Sequence, residues 1–483
     1  MEKLTKRILA IVLIAVIGVG VGFTVWIFVA PYSWGAKDVP GMENVTTITE
    51  DQIIKFGILG DEGEIQGDGA WEGAYLAAKE INLAGGITIE GKRYYFGITK
   101  EDTDESNPNY VTARGIAAAE RIINYKNVQF ATGGFRTEML SAYLENFMAA
   151  KIPFIGTGAA TDSFCQNVID NYAKYKYWFR CMPTNSTALG TEILYYIAGQ
   201  LLALNATYQN EEVRTVGILA ENLDWAPPLI EAVQQSLPLV VTGLAYYQYG
   251  VPYSVAASWT TNVSIIANTI EYDINLEAGD MYNHLVALDN AGCDIVVPVI
   301  SAQGGILMMQ QYADLHPDFL LIGIDVQSQL DTYWGLTGGD CVYETMLQSV
   351  YNVSKTTKTK AMFANFLDEF GHEPLYTAVG SYDALNAYAW AINESQSVNA
   401  DTIVTQLETI NKGNTLEGAS GYLAFTGSHD VFEGYPWGYT LFCQWQPGET
   451  KAVVPDYYLY SPNLDIEGGT YMVAPWVNTA WSS

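Results

Sequence analysis

KFGILGDEGEIQGDGAWEGAYLAAKEINLAGGI, at residues 55–87, contains the pattern from which the architecture follows. Its beginning belongs to a mostly apolar run at 53–59, which predicts a buried strand. From Asp68 to Leu83, alanines and one isoleucine recur every three to four residues, which predicts a helix with one buried face. The glycines at 85–86 then end that helix, because glycine is a poor helix former. A strand followed by a loop and a helix predicts the first half of a βαβ unit.

Strands and helices continue to alternate along the rest of the chain. A first series predicts strands at 94–100, 128–134 and 152–158, and helices at 108–125 and 137–150. A second series predicts helices at 186–204, 225–236, 280–291 and 304–315, and strands at 213–220, 239–247, 293–301 and 319–325. Residues 248–275, rich in Tyr, Ser, Thr and Asn, interrupt the second series and are expected to form a surface insertion. This alternation predicts an α/β fold with parallel sheets.

Composition excludes several classes of protein. The 483 residues carry 53 acidic and 23 basic side chains, a formal net charge of −30. Such a surface repels phosphate backbones, so no nucleic-acid partner is expected. Hydrophobic residues make up 49% of the chain and aromatic residues 13%, which excludes a disordered protein. Charged residues are only 16%, which favours an extracellular rather than a cytosolic protein.

An uncharged apolar run at 8–30 precedes the α/β series. As a helix it would span roughly 34 Å, enough to cross a bilayer core. Three basic residues precede the run, so the positive-inside rule predicts a cytoplasmic stub at 1–7, a single transmembrane anchor at 8–30 and an extracellular remainder. Residues 31–51 are expected to form a stalk, and Trp26, Tyr32 and Trp34 are expected at the outer membrane interface. A cleaved signal peptide is the alternative, disfavoured by the length of the run.

An extracellular location gives meaning to cysteines and glycosylation sequons. The five cysteines form no C-x-x-C motif, so no metal site is expected, and Cys165–Cys181 is the best candidate for a disulfide. Buried free thiols are the alternative. Six N-x-S/T sequons are possible glycan sites if the host modifies them: Asn44, Asn185, Asn205, Asn262, Asn352 and Asn393.

Several short motifs follow one another in a characteristic order. They are EINLAGGI at 80–87, Glu101-Asp102 before Pro108, IPFI at 152–155, WFRCMPT at 178–184, SYDA at 381–384, EGASG at 417–421 and QWQPG at 444–448. With the opening segment, this ordered set resembles the type I periplasmic solute-binding proteins, and within them the branched-chain amino acid receptors of ABC importers. The resemblance covers residues 52–455.

The resemblance implies a two-lobed fold of two open parallel-sheet, Rossmann-like lobes joined by three hinge crossovers. Lobe one would comprise 52–182 and 345–428, and lobe two 183–344 and 429–455, followed by a C-terminal extension at 456–483. A ligand in the cleft at the carboxyl ends of the strands would favour the closed state. The family uses no cofactor.

The resemblance also implies ligand-binding residues in lobe one. Thr137 matches the hydroxyl residue that holds a ligand carboxylate together with a backbone N–H, where the start of a helix favours an anion. Its alternative role is to cap that helix. Arg136 would pair with an acidic ligand or with surface carboxylates. Ala159 and Thr161 match the next ligand loop, with the register uncertain by one residue. Glu62, Glu64 and Gln66 are expected, with less support, in the first loop over the cleft.

Lobe two is expected to close over the ligand. Trp225 matches the place where family members carry a covering tyrosine, and its alternative role is to staple the start of a helix. Asp325 matches the acidic partner of a ligand ammonium, with Gln327 as the alternative register and helix capping as the alternative role. Ser301 and Gln303 would supply further polar contacts.

Nothing in the sequence indicates an enzyme. The four histidines are scattered and form no H-E-x-x-H motif, and no G-x-S-x-G motif is present. The sequence therefore predicts a membrane-anchored extracellular receptor for an amino acid or related amide, with an ABC permease and ATPase as partners. A ligand-sensing ectodomain and a structural cell-surface protein on the same fold are the alternatives.

Overall fold

The computed structural model describes residues 32–208, 213, 215–247, 266–276, 278–301, 304–454 and 469–482. The predicted stub and transmembrane anchor at 1–30 lie outside these residues. So do residues 248–265 of the predicted insertion and most of the first half of the C-terminal extension.

Within the described residues, helices and strands alternate as the sequence predicts. The helices are α1 Ile65–Leu83, α2 Thr112–Glu120, α3 Thr137–Ala150, α4 Ser163–Asp170, α5 Tyr172–Tyr175, α6 Ser186–Thr207, α7 Ala226–Tyr247, α8 Ala278–Asn290, α9 Gly305–Leu315, α10 Tyr333–Thr337, α11 Thr357–Phe370, α12 Tyr376–Ser395, α13 Ala400–Leu407 and α14 Pro475–Ser482. The strands are β1 Ile53–Gly60, β2 Ile87–Ile89, β3 Lys92–Asp102, β4 Phe130–Gly133, β5 Phe154–Gly156, β6 Trp178–Arg180, β7 Val216–Glu221, β8 Ile266–Tyr272, β9 Ile295–Ile300, β10 Leu320–Asp325, β11 Thr345–Gln348, β12 Leu416–Glu417, β13 Tyr422–Leu423, β14 Leu441–Gln446 and β15 Thr450–Val453.

The first sheet forms the centre of lobe one. Its strand order is β2-β3-β1-β4-β5-β6, parallel except for β2. Helix α1 packs against this sheet and against α12. The two helices approach closely at Gly73, where a Cβ atom would lie 1.9 Å from the carbonyl oxygen of Ala378. The alanines that predict the helix, including Ala74 and Ala78, form its buried face.

The second sheet forms the centre of lobe two. Its order is β15-β14-β11-β10-β9-β7-β8. Strands β7 to β11 pair in parallel, whereas β14 pairs antiparallel with both β11 and β15. Strand β11 lies in this sheet, although residues 345–348 were predicted to belong to lobe one. The chain therefore returns to lobe one after Gln348 rather than before Thr345. It passes between the lobes at 181–185, 349–356 and 424–440.

Two predictions in lobe two are wrong. The β-branched run at 239–247 is not a strand, because α7 continues through Pro238 to Tyr247. Leu237, Val241, Leu244 and Ala245 are buried at helical spacing, and α7 packs against α6. The neighbouring sheet strand is instead β8, which lies inside the predicted surface insertion.

The predicted stalk is packed against lobe one where it is described. Trp34 is buried, and its indole N–H donates to the carbonyl oxygen of Lys126 at 2.6 Å. Val39 is fully buried, and the carbonyl oxygen of Pro40 accepts from the Asn82 amide at 3.0 Å. Trp34 therefore belongs to the core of lobe one and not to a membrane interface.

One helix among the described residues, α6, is long and apolar enough to cross a membrane. Seventy-two per cent of its apolar stretch is buried inside the protein, as expected of a core helix. The five cysteines are buried free thiols, so the predicted Cys165–Cys181 disulfide is absent. The Cys165 sulfur instead accepts from the indole N–H of Trp178 at 3.4 Å.

Candidate functional site

A narrow cavity, with about 50 Å³ of space open to water, lies between the two lobes. It is bounded by residues that follow the carboxyl ends of β3, β4 and β5 in lobe one and of β7, β8, β9 and β10 in lobe two. This is where open parallel sheets place ligands, because the loops at one edge of each sheet converge there. Its lining is mostly apolar: Phe135, Ala160, Pro183, Leu189, Leu223, Trp225, Ile274, Ile324, Val326, Leu347 and Tyr376 contribute.

The loop after β4 brings lobe one's polar groups to the cavity. Gly133 has a φ of +114°, and a Cβ atom there would lie 2.0 Å from the carbonyl oxygen of Leu59. Only glycine fits this turn, which directs Phe135, Arg136 and Thr137 into the cavity. Helix α3 begins at Thr137, with Arg136 in the N-cap position.

Two polar side-chain atoms on the cavity wall have no hydrogen-bond partner in the protein, the hydroxyl of Thr137 and the side-chain oxygen of Gln329. The Ser106 hydroxyl, also on the wall, lies beside the carboxylate of Asp61 and interacts with it. Thr137 is only 6% exposed. Buried polar groups in folded proteins are nearly always hydrogen-bonded, so the two unpaired atoms are placed to bond to something in the cavity. The alternative that Thr137 caps its helix is not observed, because its hydroxyl makes no such bond.

Glu105 also lines the cavity, and it lies against the start of α3. One carboxylate oxygen accepts from the backbone N–H groups of Phe135 and Arg136, at 3.1 and 2.9 Å. The other accepts from the Thr103 hydroxyl at 3.0 Å. Complete burial raises the pKa of this carboxyl to about 7, although the three hydrogen bonds oppose the rise.

Arg136 is committed to groups within the protein. Its guanidinium lies 3.8 Å from the centre of the Tyr110 ring and pairs with Glu138 at 3.3 Å. It also donates to the carbonyl oxygen of Asn107 at 3.4 Å. Of the two expected partners, the structure therefore provides a carboxylate of the chain itself.

Lobe two contributes a tryptophan held by a buried carboxylate. Trp225 precedes α7 and is 7% exposed, and its indole N–H donates to Glu221 at 2.7 Å. The Ser301 hydroxyl donates to the same oxygen of Glu221. Glu221 is the last residue of β7 and is fully buried, so it fixes Trp225 and Ser301 against the cavity. Thr137 and Trp225 thus line one cavity from opposite lobes.

Two hydrogen bonds join the lobes beside the cavity. The Gln66 amide donates to the carbonyl oxygen of Ser301 at 3.1 Å, and both residues are buried. Glu138 accepts from the backbone N–H of Asp224 at 3.0 Å, in an exposed position. Both bonds require the lobes to be in contact, so the structure represents a closed arrangement.

Ala159 and Thr161 are buried beside the cavity but do not line it. Gly158 and Ala160 form the wall instead. The carbonyl oxygens of Ala159 and Thr161 accept from the guanidinium of the fully buried Arg180, the first at 3.0 Å. The ligand loop is thus displaced by one residue from the expected register.

Asp325 is not brought to the cavity either. Its neighbours Ile324 and Val326 line the wall, and side chains alternate along a strand, so Asp325 faces the opposite side. There it accepts from the Gln327 N–H at 2.9 Å and from the Tyr333 hydroxyl at 2.7 Å. Burial raises its pKa. Gln327 is the first residue of a short 3₁₀-helix, Gln327–Gln329, whose N-cap residue is Val326 and not Asp325. Gln303 lies outside the described residues.

Several residues of the site were not predicted from the sequence: Glu105, Ser106, Glu138, Gln329 and Tyr376, which line the cavity, and Glu221, which holds Trp225 and Ser301. For some of these residues, their position in the sequence could have marked them as candidates. Glu105 and Ser106 follow β3, and Glu221 ends β7, and polar residues at strand ends are typical of sites in open α/β sheets. Among the described residues, no group of three or more His, Cys, Asp or Glu side chains is arranged to hold a metal ion.

Two α/β lobes that close on a cavity with unpaired polar atoms define a two-lobed solute-binding protein. The family model described as periplasmic binding protein matches residues 54–432, and the chain belongs to this family. It is a binding protein and not an enzyme. No curated protein sequence matches the chain.

Solved structures share the fold at low sequence identity. The branched-chain amino acid binding protein LivJ of Streptococcus pneumoniae, in complex with isoleucine, is 17% identical with a TM-score of 0.61, covering 83% of this chain and 99% of its own. A solute-binding protein of R. palustris in complex with benzoate is 12% identical with a TM-score of 0.61, covering 83% and 95%. A putative branched-chain amino acid ABC transporter protein of Silicibacter pomeroyi is 16% identical with a TM-score of 0.64, covering 88% and 99%.

Proposed function

We propose that this protein is an extracellular receptor that captures a small organic solute between its lobes and presents it to an ABC permease. The observation that carries the proposal is the set of unpartnered polar atoms on the cavity wall. Leaving a buried hydroxyl unpaired costs about 1–3 kcal/mol. A solute that bonds to the Thr137 hydroxyl removes this cost and so favours the closed form.

The lining suggests the size and character of the solute. Trp225 and Tyr376 offer aromatic faces, and aliphatic side chains complete the wall. The solutes bound by the structural neighbours named above, isoleucine and benzoate, each combine a compact apolar body with a polar end. We propose an amino acid or a related amide or amine of that size.

The apolar run at 8–30 supports a tether. It is uncharged, is preceded by basic residues, and is long enough to cross a bilayer. A receptor fixed to the outer face of the membrane keeps its solute close to the permease. The partners we propose are therefore a permease and its ATPase subunits, which would supply the energy for transport.

Calorimetric titration of the full chain against amino acids, amides, amines and small aromatic acids tests the proposal. We expect at least one solute to bind with a dissociation constant of micromolar or less, about −8 kcal/mol. X-ray scattering should show that the same solute compacts the protein. A chain that binds no member of the panel would be a structural surface protein instead. Loss of solute uptake in cells that lack the chain separates an importer receptor from a sensor.

A further inference from the structure

A second recess lies on the outer surface of lobe one and shares no lining residue with the cavity between the lobes. It has about 260 Å³ of space open to water. Three ammonium groups and three aromatic rings line it and define what we call the lysine recess: Lys37, Lys100, Lys126, Tyr32, Trp71 and Tyr75.

Basic residues are scarce in this protein, so three lysines in one recess are a concentration of positive charge. The chain carries 23 basic residues against 53 acidic ones, and the segment 183–348 of lobe two contains a single lysine or arginine. Asp38 and Glu43 also line the recess, which leaves its lining residues with one positive charge in excess. On a protein with a formal net charge of −30, this recess is a surface that attracts anions.

Two of the three lysines are only loosely paired. The Lys37 ammonium lies 3.8 Å from the Asp38 carboxylate, and its side chain is 67% exposed. The Lys100 ammonium lies 3.7 Å from the Glu62 carboxylate, and its side chain is 36% exposed. Both distances are too long for hydrogen bonds. Lys126, in contrast, has a carboxylate partner at 2.7 Å. Lys37 and Lys100 can therefore bond to an incoming phosphate group.

The lysine recess lies next to the end of the apolar run. The run ends at residue 30, and Tyr32 already lines the recess. Two residues extend over at most about 7 Å, and the headgroup layer outside the hydrocarbon core is roughly 5–7 Å thick. Tyr32 is fixed to lobe one, because its hydroxyl donates to Asp38 at 2.6 Å and its ring packs edge-on against the buried Trp34. With the run in the bilayer, the recess is held at the depth of the lipid phosphates.

We propose that the lysine recess binds anionic lipid headgroups of the leaflet from which lobe one emerges, and that it fixes the orientation of lobe one on the membrane. This rests on the proposed function, because it requires the run at 8–30 to span the bilayer. Lysines pair with lipid phosphates, and aromatic rings suit the interface. The same anionic surface repels the acidic lobe two, which is therefore the lobe left free to open and close.

Hydrogen exchange of the full chain in lipid nanodiscs tests the proposal. We expect the backbone amides of 32–43 to exchange at least threefold more slowly in nanodiscs that contain phosphatidylglycerol than in nanodiscs of phosphatidylcholine alone. Equal exchange in the two overturns the proposal. Inorganic phosphate added to the phosphatidylcholine nanodiscs should leave exchange unchanged; slowing by phosphate would make the recess a site for the free ion and overturn lipid binding. A chain that does not insert into nanodiscs refutes the anchor and the lipid site together, whereas calorimetry with solutes tests the receptor function separately.

Paired substitutions test the lysines themselves. Lys37→Gln combined with Lys100→Gln should abolish the slower exchange in phosphatidylglycerol. Lys174→Gln combined with Lys176→Gln is the matched control, because these side chains are 40% and 25% exposed on the same lobe, pair with carboxylates and do not line the recess. The control should keep the slower exchange. Slow exchange retained in the recess variant, or lost equally in both variants, overturns the role of the lysine recess.

Discussion

Replacing Thr137 by valine should change stability and affinity in opposite directions. Valine keeps the branched shape and removes only the hydroxyl. That hydroxyl is buried and has no partner in the protein, so its loss should leave the free energy of unfolding of the empty protein unchanged or raise it by about 1 kcal/mol. Solute binding should weaken by about 0.5–1.5 kcal/mol, roughly two- to twelvefold, because one hydrogen bond to the solute is lost.

Thr132 provides a matched control in the same lobe. It is fully buried, and its hydroxyl donates to the carbonyl oxygen of Ile155 at 2.7 Å. Thr132→Val should therefore destabilise the protein by about 1–2 kcal/mol, because a buried acceptor loses its donor, and should leave affinity unchanged.

Urea unfolding of the empty variants and calorimetry of the loaded ones measure the two quantities separately. The reasoning fails if Thr137→Val behaves like Thr132→Val, with lower stability and unchanged affinity. That result would assign the Thr137 hydroxyl a structural role.

Three further outcomes are expected. Trp225→Ala should weaken solute binding at least tenfold, about 1.4 kcal/mol, measured by calorimetry, whereas Trp225→Phe should keep most of the affinity. Gln66→Ala removes the buried bond to Ser301 and should shift the empty protein towards open forms in X-ray scattering, without lowering the unfolding temperature of either lobe by more than a few degrees. The pKa of Glu105, raised by burial to about 7 in the folded protein, makes its contribution to stability greatest below about pH 4.5 and lost as the pH rises through 7, a difference of roughly 3 kcal/mol. Wild-type protein should therefore gain more stability than Glu105→Gln between pH 8 and pH 5 in urea titrations, and identical pH profiles would contradict this.

The strands and helices of the two lobes could be predicted because the sequence patterns that specify them are local. Strand β1 and helix α1 carry their periods within 31 consecutive residues, and the alanines that predict the buried face of α1 are buried. The strand predicted at 239–247 from the local sequence pattern is wrong, because these residues are helical. The β-branched residues there favour a strand, but burial of Val241 and Leu244 at helical spacing stabilises a helix instead.

The site was predictable only in part, because its residues converge from distant segments. Thr137 and Trp225 could be placed from the motifs around them. Asp325 could not, since one residue of register decides which face of a strand a side chain occupies. Glu105 could have been marked as a candidate because it follows a strand end, but its contacts could not be predicted, since its partners are backbone N–H groups 30 and 31 residues away.

Recognition and closure depend on the same atoms. The hydrogen bonds that cross between the lobes beside the cavity, from Gln66 and to Glu138, contribute about 1 kcal/mol each to the closed form. The unpaired hydroxyl of Thr137 costs about as much when the cavity is closed and empty, which offsets part of that contribution. A solute that bonds to this hydroxyl removes the cost, and this difference in affinity between the two forms shifts the equilibrium towards the closed one. A solute that leaves the hydroxyl unpaired makes no such contribution to closure.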